Sequence, residues 1–159
     1  MGLKEIFKDI REGIDNIEKL VTETLEKAQP TRFIDNGDYT VTDPKTGLTW
    51  IKDPTALDKK FSKTMTYEDA DKACKELNIG GLKDWRLPTR EELLTIVDLT
   101  RYSPAIDPIF VNTKCSWYWT STPYAGYSDG AWIVYFANGY TYGDGKAYEY
   151  YVRPVRSSQ

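Results

Sequence analysis

The sequence predicts an α+β domain preceded by an amphipathic helix, and three observations carry that expectation. A helical apolar period runs through the first 28 residues. Period-two alternation and turn residues fill the stretches around 32–52 and 117–156. Between them lie two segments that each open on a helix cap. The resulting order of helix, strands, two helices, strands is that of an α+β fold.

The 159 residues suit one domain with a short appendage, and 40% hydrophobic with 28% charged residues is a globular composition. A net charge of −3 argues against a nucleic-acid partner, because neutralising phosphates needs a basic surface. No apolar run approaches the roughly 20 residues of a membrane span. The opening MGLKEIFKDIREGID lacks the apolar stretch and cleavage site of a secretory signal. The compartment stays open between intracellular, virion and non-classically exported.

Histidine is absent, which removes the commonest general base, the commonest zinc ligand and every Ser-His-Asp or Cys-His mechanism. Carboxylate-pair hydrolysis is still compatible with the composition, but neither an enzyme nor a cofactor or metal is expected. Cys74 and Cys115, 41 residues apart, form no metal-ligand spacing and are expected as buried thiols in preference to a disulfide.

Residues 1–29 form the helical appendage and 31–159 the domain. Leu3, Phe7, Ile10, Ile14, Ile17 and Val21 alternate spacings of four and three, a heptad seam. Asp15 with Lys19 and Glu23 with Lys27 add i,i+4 pairs, and Gln29-Pro30 ends the helix. Two arrangements are compatible with the seam. Isoleucine at both seam positions favours a homo-oligomeric coiled coil through residues 3–28, of trimeric or higher order. Ile6, Leu20 and Leu25 widen the apolar face and suit packing onto the chain's own domain.

Strand-forming runs at Arg32–Ile34, Tyr39–Thr42 and Leu48–Lys52 are separated by Asn36-Gly37-Asp38 and Pro44-Lys45-Thr46-Gly47, which predicts a three-stranded meander. Asp35, Asn36 and Asp38 do not fit calcium-loop spacing and are turn residues. Thr66 caps a helix over Tyr67–Leu77, stopped by Gly80-Gly81. Thr89 and Glu92 form a capping box for Arg90–Leu99. One helix buries Ala70, Ala73, Cys74 and Leu77, the other Leu93, Leu94, Ile96 and Val97. In the last third, Trp117 and Trp119, then Trp132, Val134 and Phe136, then Tyr151, Arg153 and Val155 alternate as strands with one face buried. The opposite parity, Ile133, Tyr135, Ala137, Tyr140 and Tyr142, is aromatic and small.

Nine of the twelve tyrosines follow Cys115. A core would favour Val, Leu and Ile, which carry no hydroxyl to satisfy, so this bias points to a surface.

In order, RFIDNGDYTVTDPKTGLTWIK, DWRLPTREEL, YWTST, AWIVYFANG and YYVRPVR resemble a domain family found at the C-termini of collagen-like adhesins. The resemblance covers Thr31 to Arg156. It implies a C-type-lectin-like fold with a twisted, mostly antiparallel sheet whose final strand returns beside the first. Trp132 is implied to hold a core position, and Trp85, Arg86, Leu87 and Pro88 to be scaffold. Some members of the family are variable proteins of diversity-generating retroelements, which rewrite a 3′ gene segment by mutating adenines. Asn codons ending in C then give Tyr, Ser, Asp, Gly, Ala, Thr, Ile and Val, the types that fill residues 117–156 between fixed-looking anchors.

These are also good paratope residues, since tyrosine gives rigid amphipathic contact area at low entropy cost. The expected ligand contacts are Tyr118, Tyr124, Ala125, Tyr127, Ser128, Asp129, Tyr135, Ala137, Tyr140, Tyr142, Gly143, Asp144, Ala147 and Tyr150. Trp50, Trp85, Trp117, Trp119 and Trp132 are expected in the core, and Arg153 and Arg156 against carboxylates such as Asp84 or Glu92. The favoured function is a diversified receptor- or adhesin-like module for a protein or other surface macromolecule. The alternative is a non-diversified carbohydrate-binding lectin domain, though the calcium-dependent tripeptides Glu-Pro-Asn and Gln-Pro-Asp are missing. The related formylglycine-generating fold needs a copper-binding cysteine pair that Cys74 and Cys115 do not supply.

Overall fold

In the computed structural model, residues 2–27 and 31–158 are described, with side chains described for residues 2–24 and 31–158. The expected helix stop at Gln29-Pro30 and the side chains of Leu25 and Lys27 lie outside the described residues. The chain divides into two compact units, residues 1–32 and 33–159.

In the first unit, apolar residues at intervals of three and four build α1, Leu3–Lys27. Its polar side carries the i,i+4 ion pair Lys8–Glu12 at 3.8 Å. Leu3, Phe7, Ile10, Ile14, Ile17, Leu20 and Val21 are all exposed.

In the second unit the meander forms as β1 (Ile34–Asp35), β2 (Thr40–Asp43) and β3 (Leu48–Ile51), all antiparallel. The aspartates act as turn formers: Asp35 accepts from the Gly37 N–H at 3.0 Å and Asp38 from the Thr40 N–H at 3.1 Å. The last strand, β7 (Val155–Ser157), pairs antiparallel with β3, with Trp50 opposite Val155. It therefore returns beside the third strand of the meander, not the first. A second sheet, ordered β4-β5-β6, comprises Trp117–Pro123, Gly130–Tyr135 and Tyr140–Gly145.

In chain order, two capped helices fall between β3 and β4. Thr66 caps α3 (Tyr67–Lys75), and the Thr89–Glu92 capping box opens α4 (Arg90–Thr95). Arg86 clamps Glu92 with two bonds of 2.7 and 2.8 Å, so the WRLP segment anchors the start of α4. α4 stops four residues before the expected Leu99. The Asp98 N–H donates to Ala105 O at 2.9 Å and Val97 bridges Ile106, so this backbone pairs across a loop instead of along the helix. Sequence periodicity misses α2 (Pro54–Leu57) and the 3₁₀ helix Lys59–Ser62, which are capped by Asp53 and Asp58. Both are too short to show a period.

The central difference from expectation concerns the second sheet. Trp119, Ala131 and Ile133 enter one core with Ala70, Ala73 and Cys74 of α3. Their neighbours Tyr118, Val134 and Phe136 enter another with Leu93 of α4, Ile96 at its C-cap and Trp50 of β3. Both faces of the sheet are covered at its centre, so alternation there does not divide buried from exposed. Trp50, Trp85 and Trp119 are fully buried, as expected. Trp117 and Trp132 are only half-buried. Trp132 stands where the sheet meets the first turn of α4, its ring beneath the Arg90 guanidinium at 4.5 Å, while Val134 takes the core position on that face. Cys74 is buried but Cys115 is exposed, and both are free thiols.

The VRPVR segment ties β3 to the loops that carry Asp84 and Thr113. Arg156 Nε donates to Asp84 at 3.1 Å, one of the expected partners. Arg153 instead donates to the carbonyls of Ile51 (2.7 Å) and Lys52 (3.0 Å) and to the Thr113 hydroxyl (2.6 Å). Full burial pushes its guanidinium pKa down.

Candidate functional site

The register of the second sheet places Trp117, Tyr135 and Tyr140 opposite one another on one face, and Tyr142 opposite Ile133 on the same face. Near the middle of the sheet this face is core. Toward the β5–β6 hairpin it emerges as an aromatic band. Trp117 and Tyr135 stack at 4.8 Å, Trp117 and Tyr142 lie 6.4 Å apart, and Tyr140 and Tyr142 are 70% and 55% exposed. Further along β6, Asp144 accepts from the Tyr150 hydroxyl at 2.6 Å. Tyr150 itself packs edge-on against Trp119 at 4.9 Å. Burial, followed by the Asp144 carboxylate, pushes the Tyr150 phenol well up and keeps it neutral.

A second aromatic group forms where β4 turns into β5. Tyr124, Tyr127 and Gly130 close a tight turn, with Tyr127 N–H to Tyr124 O at 3.2 Å and Gly130 N–H to Tyr127 O at 3.2 Å. Ala125, Tyr127, Ser128 and Asp129 are exposed on it. The Tyr124 ring lies flat over Gly126 and Gly143, where any Cβ would collide with it. Trp132 meets it edge-on at 4.9 Å and Tyr127 at 5.4 Å. The Lys146 N–H donates to Asp129 O at 3.0 Å, which brings exposed Ala147 beside this loop. Among the described residues no group of three or more His, Cys, Asp or Glu is placed to hold a metal ion. The surface offers ring faces, hydroxyls and carboxylates.

The family model for the Lcl C-terminal domain matches residues 39–156. The chain belongs to the Lcl C-terminal domain family. Lcl is a collagen-like adhesin, so the family is adhesin-like and ligand-binding. No curated protein matches the chain. The matched segment runs from just before β2 into β7 and leaves α1 outside.

Within this Lcl C-terminal domain the expected contact residues fall into three sets. Tyr135, Tyr140, Tyr142, Asp144 and Tyr150 share the face of the aromatic band, and Tyr124, Ala125, Tyr127, Ser128, Asp129 and Ala147 gather at the β4–β5 loop. Tyr118, Ala137 and Gly143 are buried and are corrected to scaffold. Tyr118 is 3% exposed, packs edge-on against Phe136 at 4.9 Å, and its hydroxyl accepts from the Lys114 N–H at 2.8 Å. Ala137 accepts from the Ser103 N–H at 2.9 Å in the β5–β6 turn, and Gly143 lies under Tyr124. Sequence reasoning passed over Trp117, which the register joins to the band, and Tyr148, an exposed ring beside Gly145. The parity of Trp117 with Tyr135 is a signal visible only once the strands are paired.

Proposed function

We propose that this chain is a diversified receptor- or adhesin-like protein that displays a Tyr/Ser/Gly/Asp-rich surface to a protein or other surface macromolecule, and that it binds without catalysing a reaction. The observation that carries the proposal is the aromatic band. Tyr140 and Tyr142 stand exposed on a strand whose neighbours are fixed in two cores, so the rings are presented with little ordering left for binding. Diversification draws support from the partition of residue types in the last third. Trp119, Phe136 and Val155 are buried, while Tyr, Ser, Asp and Ala fill the exposed loop and edge strand. The exposed seam of α1 supports self-association of the chain, which would raise avidity for a repetitive surface. A second reading, calcium-independent carbohydrate binding, draws on the Trp117–Tyr135 stack, which offers adjoining ring faces to a sugar.

The test uses arrays of cell-surface proteins and of glycans, probed with wild type and with the Tyr140→Ala/Tyr142→Ala double variant. Protein binding lost in the double variant supports the proposal, and glycan binding lost in it selects the second reading. Binding that ignores both substitutions, or no binding at all, overturns the assignment of the surface. Diversification is tested separately by sequencing the 3′ end of the gene and its flanks across a natural population. Substitutions confined to exposed codons and matched to adenines of a template repeat are expected; a uniform sequence without a repeat rejects that part.

A further inference from the structure

A groove of about 610 Å³ lies between the 3₁₀ helix Lys59–Ser62 with its following strand-like segment and the outer face of α3. It shares no residue with the tyrosine surface. Local sequence explains its shape. Phe61 is buried and pins the 3₁₀ helix to the core, so Lys59, Lys60 and Lys63 fan out around the rim. On the opposite wall, α3 presents Ala73, whose single methyl leaves the depth that a larger side chain would fill. Met65 closes the floor, fixed by reciprocal backbone bonds of 3.0 Å with Tyr150.

The charges around this floor are unequal in their engagement. Lys60 is paired with Asp58 at 3.5 Å and with Glu76 at 3.3 Å. The other rim carboxylate, Asp69, accepts from the Thr66 hydroxyl at 2.8 Å. Lys59, Lys63 and Lys72 have no carboxylate within 4.0 Å among the described residues. Unpaired surface lysines alone are ordinary. Here three of them ring a concave apolar floor, on a chain whose net charge is −3. The volume falls in the range of about 300–1,000 Å³ typical of small-molecule sites, which combine an apolar lining with a few converging polar groups.

We infer that this groove binds an amphiphilic anion, an apolar chain or ring ending in a carboxylate. The apolar body lies over Met65 and Ala73 along the aliphatic stems of the lysines, and the carboxylate accepts charge-assisted bonds from two or more of Lys59, Lys63 and Lys72. This is a site of a different ligand class from the tyrosine surface, and it stands or falls independently of it.

The test is an amide-resolved NMR titration of the full chain with octanoate, acetate and octanol. Octanoate is expected to shift amides of residues 59–65 and 69–76 saturably. Acetate lacks the body and octanol the charge, and each is expected to bind at least tenfold more weakly. The Lys59→Gln/Lys63→Gln/Lys72→Gln variant alters exposed positions only, and is expected to weaken octanoate at least tenfold. The Tyr140→Ala/Tyr142→Ala variant should bind octanoate like wild type. The inference is overturned if no saturable shifts appear in these segments, if octanol matches octanoate, or if the triple variant binds unchanged.

Discussion

Gly143 shows how one residue shapes the candidate binding surface from beneath. It lies mid-strand in β6, and a Cβ there would overlap the root of the Tyr124 ring, Cγ and Cδ, which cannot swing aside without leaving Trp132. Gly143→Ala is therefore expected to cost about 1–3 kcal/mol, the usual range for overpacking, and to lower the denaturant midpoint. An unchanged midpoint would show that Tyr124 is not held in this slot. Its neighbour in sequence, Tyr142, behaves oppositely, because its ring is 55% exposed and belongs to neither core. Tyr142→Ala and Tyr140→Ala should leave the melting temperature nearly unchanged while binding is lost. Tryptophans divide along the same line. Truncating fully buried Trp119, whose indole N–H donates to Met65 O at 2.8 Å, should cost about 3–5 kcal/mol. Trp132→Ala removes a half-buried ring and should cost distinctly less, about 1–2 kcal/mol. Equal losses for the two in urea titrations would return Trp132 to the core.

At the scale of elements, α4 depends on one carboxylate. Glu92 closes the capping box on the Thr89 N–H at 2.8 Å and takes both Arg86 bonds. The Arg86 bonds hold its carboxyl below the ordinary value of 4.5. A carboxyl with a lowered folded pKa binds its proton more weakly in the folded chain than in the unfolded one. Its stabilisation is thus complete above the ordinary value and is lost as pH falls through the lower folded one. Glu92→Gln should cost about 1–2 kcal/mol at neutral pH and flatten the acid limb of a stability-against-pH curve. A variant limb as steep as wild type would remove Glu92 from that role. This element was legible because Thr89-x-x-Glu92 is a local signal. The caps of α2 and the 3₁₀ helix were equally local, with Asp53 ahead of Pro54, but four residues carry no period to confirm a helix. The faces of the second sheet were not legible at all. Alternation at Tyr118, Trp119, Val134 and Ile133 looks the same whether one core or two will cover it, and that is decided by α3 and α4 packing from opposite sides. Hence Tyr118, expected as a contact residue, is buried, and Trp117, expected in the core, is half-buried against its edge.

At the scale of the whole molecule, the proposed self-association of the chain rests on the seam of α1. Helices in proteins draw most of their stability from packing an apolar face and less from propensity, and α1 carries such a face along its 25 residues. Every described seam residue from Leu3 to Val21 is at least 50% exposed. Fully burying one such side chain gains about 1.5–3 kcal/mol. Burying even half of the seam's exposed surface on each helix therefore rivals the association cost of about 4–15 kcal/mol. Sedimentation equilibrium is expected to give a mass above the 18.3 kDa monomer. Ile10→Asn with Ile14→Asn should return the monomer, since polar groups at consecutive seam layers would be buried without partners. All five tryptophans lie in residues 33–159, so near-ultraviolet circular dichroism of the variant should match wild type and separate lost association from lost folding. A wild-type monomer at high concentration would reject the seam as a self-association surface. If the variant is monomeric and folded, its affinity for a monovalent target should equal that of wild type, while binding to a dense surface should fall 100-fold or more, about what loss of avidity implies.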